Sequence, residues 1–202
     1  MKITAIKQQI QHTSRYSIFI DGRFTLSLSD VALLDSRVVV GQELSSEDLG
    51  KLKKASVADR LYANTLRFVM IRARSEWEIV TYLKRKLASP QEIDKIIEKL
   101  RLGGLLDDKA FAKSWVENRR LLRSASTRRL ILELKQKHIS ETVISQVINE
   151  DVTDERTALK QLIERKRRIP RYRLDNLKLM QYLARQGYDY GSIKDALSDE
   201  DA

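Results

Sequence analysis

Residues 75–100 read SEWEIVTYLKRKLASPQEIDKIIEKL, and the chain writes the pattern of that stretch three times. With Leu83 as anchor, Ile79 and Val80 lie four and three residues before it, and Ser89, Ile93 and Ile97 follow at six, ten and fourteen. With Leu134 as anchor the same offsets hold Leu130, Ile131, Ser140, Ile144 and Ile148. With Leu183 they hold Leu179, Met180, Asp189, Ile193 and Leu197. Apolar residues at −4, −3 and 0 make one stripe of an α-helix, and those at +10 and +14 make the stripe of a second. At +6 each copy places a side-chain oxygen suited to capping the second helix. Pro90 and Glu92 add a first-turn proline and a capping box to the first copy. A helix pair of this size cannot bury its apolar face alone, so a period of roughly 50 residues predicts stacked helical modules.

Outward from this stretch, residues 1–28 read as strands. Tyr16, Ile18 and Ile20 alternate before Asp21-Gly22, a pair suited to a type I′ hairpin, and Phe24, Leu26 and Leu28 alternate on the return. Lys2 to Ile10 offers a third strand. Asp30 to Leu34 reads as a short helix, and Ser45 caps another through Lys54 with Leu49 and Leu52 inward. A new helix begins at Val57, its period kept by Leu61, Thr65, Phe68 and Val69. Ser75 with Glu78 forms a capping box that opens the next helix almost without a loop, and a similar junction recurs at Ser124-Ala125-Ser126. The expected organisation is a β-hairpin and short-helix region over 1–56, then three-helix repeats over 57–105, 106–152 and 153–202, the last with an acidic tail. The fold class is mainly α, tandem three-helix repeats behind a small N-terminal antiparallel sheet.

Composition narrows the function. The 202 residues contain no cysteine, which excludes disulfides and thiolate metal sites and fits a cytoplasmic location. The N-terminal MKITAIKQQIQ lacks the apolar core of a secretory signal, and no stretch approaches the roughly 18 apolar residues of a membrane span. His12 and His138 are too few and too far apart in sequence to suggest a metal site, and both read as surface residues. Asp107-Asp108 is the one tempting carboxylate pair. Neighbours on a helix diverge by about 100°, so the two read as a cap and a first-turn acid. No P-loop, GxSxG or HExxH occurs. No catalytic residue, metal or cofactor is expected.

The formal charge is +10, of which residues 1–56 carry +2 and the helical part +8. A polyanion or an acidic protein surface is the expected partner. The cations fall at matching places. Lys84, Arg85 and Lys86 follow the first anchor, Lys135 and Lys137 the second, and Arg185 the third. Arg72 and Arg74 precede the first junction; Arg119, Arg120 and Arg123 precede the second, with Arg128 and Arg129 just after it. Arg165, Lys166, Arg167, Arg168, Arg171 and Arg173 precede the third. If the modules stack, these positions form a basic stripe, and alanine at Arg119, Arg120 and Arg123 is expected to weaken binding while leaving the fold intact. Phe68, Trp77, Tyr82, Phe111, Trp115 and Tyr182 sit beside the apolar stripes and read as core, whereas Tyr172 and Tyr190 stay open as stacking residues.

Arg74-Ser75-Glu76 leading to Tyr82-Leu83-Lys84-Arg85-Lys86 resembles a hallmark of the RecX family. Gly104-Leu105-Leu106-Asp107-Asp108 with Phe111-Ala112, then Glu133-Leu134-Lys135, and Tyr182-Leu183 through Arg185-Gln186-Gly187-Tyr188 extend the resemblance over about residues 57–198. Position 138 is His where the resemblance implies a glycine. The resemblance implies an elongated, curved, non-enzymatic regulator of the RecA recombinase, lodged in the groove of the RecA–DNA filament. It further implies suppression of ATP hydrolysis, strand exchange and coprotease function, with roles in recombination, repair and the SOS response. Direct, weaker binding of single- and double-stranded DNA is implied as well, and a monomer with no membrane partner is expected. Two other readings stay open from the residues: a stand-alone, sequence-indifferent DNA binder, and a helical-repeat scaffold for an acidic protein partner.

Overall fold

The computed structural model describes residues 1–199; the end of the acidic tail, 200–202, lies outside them. Strands β1 (Ile3–Gln8), β2 (Arg15–Ile20) and β3 (Arg23–Ser29) form one antiparallel sheet in sequence order. Asp21 and Gly22 both adopt positive φ, 47° and 78°, as a type I′ turn requires. Ile18 pairs with Leu26 and Phe19 with Phe24, so β3 carries one extra residue at this point. That bulge turns Phe24 away from Leu26 and Leu28, which corrects the simple alternation expected for the strand. Phe24 is exposed and meets Phe19 edge-on at 6.1 Å.

Helices α1 (Asp30–Ser36) and α2 (Ser46–Met70) follow. α2 runs unbroken for 25 residues across the division expected between Lys54 and Val57. Lys54-Ala55-Ser56-Val57 contains neither glycine nor proline, so nothing stops a helix once Ser45 and Asp48 have closed its capping box. The sheet, α1 and the start of α2 share a core of Ile3, Ile18, Leu26, Leu28, Leu44 and Leu52.

The rest is helical: α3 (Glu76–Arg85), α4 (Pro90–Leu102), α5 (Asp108–Arg123), α6 (Thr127–Gln136), α7 (Glu141–Glu150), α8 (Glu155–Arg167), the one-turn α9 (Pro170–Arg173), α10 (Asn176–Arg185) and α11 (Tyr190–Ser198). The threefold pattern holds at the level of atoms. The anchors Leu83, Leu134 and Leu183 are fully buried, as are Ile79, Leu130 and Leu179 at −4. Burying one such side chain stabilises by about 1.5–3 kcal/mol. At +4, Leu87, His138 and Gly187 all take positive φ, 59°, 56° and 92°. In each copy the N–H at +4 donates to the carbonyl at +1 and the N–H at +5 to the carbonyl of the anchor. This is the Schellman closure of a helix. Ser89, Ser140 and Asp189 then cap the following helix, as their spacing predicts.

The chain divides into two compact units, one of residues 1–72 and 79–99, the other of 73–78 and the chain from Leu100 on. The second unit holds two cores: Phe111, Val116, Leu130, Leu134, Ile144 and Val147 in one, and Leu159, Ile163, Leu179, Leu183, Ile193 and Leu197 in the other. Among the described residues no helix is long and apolar enough to cross a membrane.

Candidate nucleic-acid and protein interface

Within the second unit, successive copies dock by a repeated set of contacts. The first helix start of one copy receives the Schellman turn of the next. The His138 ring stacks on Trp77 at 4.3 Å, and Lys137 Nζ meets Glu78 Oε1 at 2.9 Å. One copy further on, Ser126 Oγ donates to the Gln186 carbonyl at 2.7 Å, and Gly187 lies so close that a Cβ there would sit 2.5 Å from Ser126 Oγ. Gly187 is therefore required twice over, by its backbone and by the space. His138 replaces the glycine that the resemblance implies. His tolerates this left-handed conformation better than most residues, and its ring gains the Trp77 face. Trp77 is 42% exposed, which corrects its reading as core.

A third contact repeats as well. Asp108 Oδ1 accepts the Glu76 N–H at 2.8 Å, and Glu155 Oε1 accepts the Thr127 N–H at 3.1 Å. Each is a first-turn acid of the next leading helix, reaching back to the helix start that would otherwise leave its N–H groups unmet. Burial pushes the Asp108 carboxyl above its ordinary value despite this hydrogen bond.

The polar contacts around Ser124-Ala125-Ser126 decide where several of the arginines go. Arg120 gives Nε to Asp151 at 2.8 Å, one Nη to the Ala125 carbonyl and the other to Thr127 Oγ1, with its side chain 8% exposed. Arg165 reaches Ser124 Oγ at 2.8 Å, and Tyr188 Oη donates to the Ser124 carbonyl at 2.7 Å. Burial pushes the Tyr188 phenol up to about 12. Glu133 collects Arg119 Nε at 2.7 Å, Arg129 Nε at 3.0 Å and Trp115 Nε1 at 3.0 Å. Burial opposes its charge, but these three donors outweigh it and hold the carboxyl below the ordinary value. Arg119 also lies 4.4 Å over the Trp115 ring.

The basic positions thus separate by their contacts. Arg119, Arg120, Lys137 and Arg165 are half-buried and bind inside the fold, whereas Arg129 is exposed and shares Glu133 from the surface. Arg167 donates to the carbonyls of Tyr172 and Arg173 and to Asn176, and Lys166 lies over Tyr182 at 4.4 Å. Lys84, Arg85, Arg123, Arg128, Arg168, Arg173 and Arg185 are exposed, and their side chains have no partner among the described residues. Lys86 over Tyr82, Arg171 over Tyr172 and Lys135 beside Glu141 are exposed with one surface contact each. Arg72 is exposed and Arg74 half-buried. The expectation that alanine at Arg119, Arg120 and Arg123 leaves the fold intact takes the three side chains as exposed, and Arg120 is not: it is 8% exposed and supplies the cation that Asp151 pairs with. Asp151 belongs to none of the repeated offsets, so nothing in the sequence pattern singles it out. Glu155 is marked there only by its place just after the Asp154 cap, matching Asp108 after Asp107.

Three family models match: "Regulatory protein RecX N-terminal domain" over residues 1–45, "RecX, first three-helix domain" over 62–100 and "RecX, second three-helix domain" over 107–148. The chain belongs to the RecX family. A Regulatory protein RecX of Lactobacillus johnsonii is 33% identical over 153 residues, 76% of this chain and 56% of the relative. Another, from Oceanobacillus iheyensis, is 29% identical over 203 residues, 95% of this chain and 74% of the relative. The chain spans little more than half the length of the Lactobacillus johnsonii and Listeria innocua RecX relatives, 56% and 57%. A crystal structure of regulatory protein RecX superposes with a TM-score of 0.74 at 26% identity, covering 96% of this chain and 98% of that one. RecX from Lactobacillus salivarius shares the fold, with a TM-score of 0.60 at 22% identity, covering 71% and 96%. The RecX family is one of regulatory proteins by name, and it shares with this chain the N-terminal sheet region and the tandem three-helix domains.

Proposed function

We propose that this protein regulates the RecA recombinase, mainly as an inhibitor. In this reading it binds in the groove of the RecA–DNA filament and suppresses ATP hydrolysis, strand exchange and coprotease activity. It works without a catalytic residue or cofactor of its own, as a cytoplasmic monomer, and touches single- and double-stranded DNA directly but more weakly. The observation that carries the reading is the set of exposed cations with no partner among the described residues, Lys84, Arg85, Arg123, Arg128, Arg168, Arg173 and Arg185. Such groups are free to meet phosphates or carboxylates, and arginine does so with two parallel hydrogen bonds. The modular division 57–105, 106–152 and 153–202 belongs to this proposal, with its first boundary falling inside α2.

The test is RecA's ATP hydrolysis on excess single-stranded DNA as the protein is titrated in. Loss of hydrolysis well below one protein per RecA supports the proposal. Unchanged hydrolysis with DNA binding intact overturns it and leaves a stand-alone DNA binder, whose affinity would fall steeply with salt.

A further inference from the structure

The two junctions in the second unit differ at one pair of equivalent positions. Six residues before the anchor stands Trp77 in the first copy and Arg128 in the second. Four residues after the next anchor stands His138, then Gly187. At the first junction the two rings stack at 4.3 Å. At the second, Arg128 and Gly187 bring no ring pair, and a groove of about 740 Å³ opens along α6, α8 and α11.

The walls of this groove define what fits it. Its accessible apolar surface comes from Ile131, half-buried, and Leu132, 50% exposed. Arg128 has no partner among the described residues, so its planar guanidinium is free to lie on an aromatic face, the arrangement Arg119 already makes with Trp115. Lys135 and Arg156 line the groove too, but each is engaged, with Glu141 and Asp199 respectively. Against these cations stand Glu155, Asp189 and Asp195, so the lining is balanced in charge. A polyanionic strand would bring its phosphates against Asp189 and Asp195. A peptide cation meets Asp189 and Asp195 there, and two of the cations in the wall, Lys135 and Arg156, are already paired with Glu141 and Asp199.

We infer that the α6–α8–α11 groove is a docking site for a protein segment presenting an aromatic side chain next to a basic one. The ring takes the place that Trp77 and His138 fill at the preceding junction, lying between the Arg128 guanidinium and Leu132. The adjacent cation pairs with Asp195, whose carboxylate has no side-chain partner among the described residues. This goes beyond the regulatory reading above and stands without it, because no step involves RecA or DNA.

The test uses the full chain, labelled with ¹⁵N, and two probes at equal concentration: the capped dipeptide N-acetyl-Trp-Lys-amide and thymidine 5′-monophosphate. Saturable shifts of the Thr127 and Ser192 amides with the dipeptide are expected, at least tenfold weaker in Arg128→Trp, which carries its own ring into the groove. Leu132→Ser serves as a second variant should Arg128→Trp disturb the fold, with the same weakening expected. Shifts that are absent, scattered over the surface, or unchanged in a folded variant overturn the inference. Binding of the nucleotide in the groove in preference to the dipeptide also overturns it.

Discussion

Arg120 illustrates how one side chain can be committed wholly to structure. Its guanidinium ties together the Ala125 carbonyl, Thr127 Oγ1 and Asp151, whose side chain is 9% exposed. Burial of the Asp151 carboxyl disfavours its charge, and hydrogen bonds from Thr153 and Arg120 outweigh that and keep it ionised. Removing Arg120 leaves the buried Asp151 carboxylate without its cation, held by the Thr153 hydrogen bonds alone, and losing one partner of a buried ion pair costs about 3–5 kcal/mol. Arg120→Ala should therefore lower stability by about that much, read from the urea midpoint. Arg123→Ala, a substitution at an exposed side chain, should change it by less than about 0.5 kcal/mol. Equal midpoints for the two variants would show that the Arg120 contacts contribute little.

At the scale of elements, α5 and α6 are held together by the Glu133 carboxylate as well as by apolar packing. Because its pKa is depressed in the folded state, the unfolded chain binds the proton more readily. The stability it supplies is present above the ordinary value of 4.5 and is lost as pH falls through the folded-state pKa. Glu133→Gln should flatten the decline in stability below that value, measured by urea denaturation at several pH values. A decline as steep as that of the unsubstituted protein would place the acid sensitivity elsewhere. This carboxylate also marks the limit of what periodicity conveys. The helices, their caps and the anchor leucines follow from local pattern, because a buried stripe must recur every 3.6 residues. Arg129, four residues earlier on the same helix, follows from that spacing too, but Arg119 does not, because it lies on α5 and fourteen residues earlier. Trp77 escapes the pattern for a similar reason: its −6 position belongs to the docking surface, and its partner His138 lies 61 residues on. Phe24 escapes it because a bulge of one residue leaves no mark in an alternating sequence.

For the molecule as a whole, the formal charge of +10 overstates what is available to a partner. Arg119, Arg120, Lys137 and Arg165 are bound internally, so their charge supports the helices and contributes little to recognition. The exposed Arg123, Arg168, Arg173 and Arg185 are the better test of partner binding, and they leave the α6–α8–α11 groove untouched. Replacing all four with alanine should preserve the thermal midpoint, since such surface positions typically change stability by less than about 0.5 kcal/mol each. Affinity for single-stranded DNA should fall, and its dependence on salt should flatten by about 0.7 in the log–log slope for each phosphate that is no longer neutralised. Inhibition of RecA hydrolysis should require correspondingly more protein. If the slope and the inhibition both stay as they were while the midpoint holds, these four arginines touch neither phosphate nor filament. The cations that matter would then be Lys84 and Arg85, immediately after the first anchor, or Arg128, and the same measurement on their alanine variants would follow.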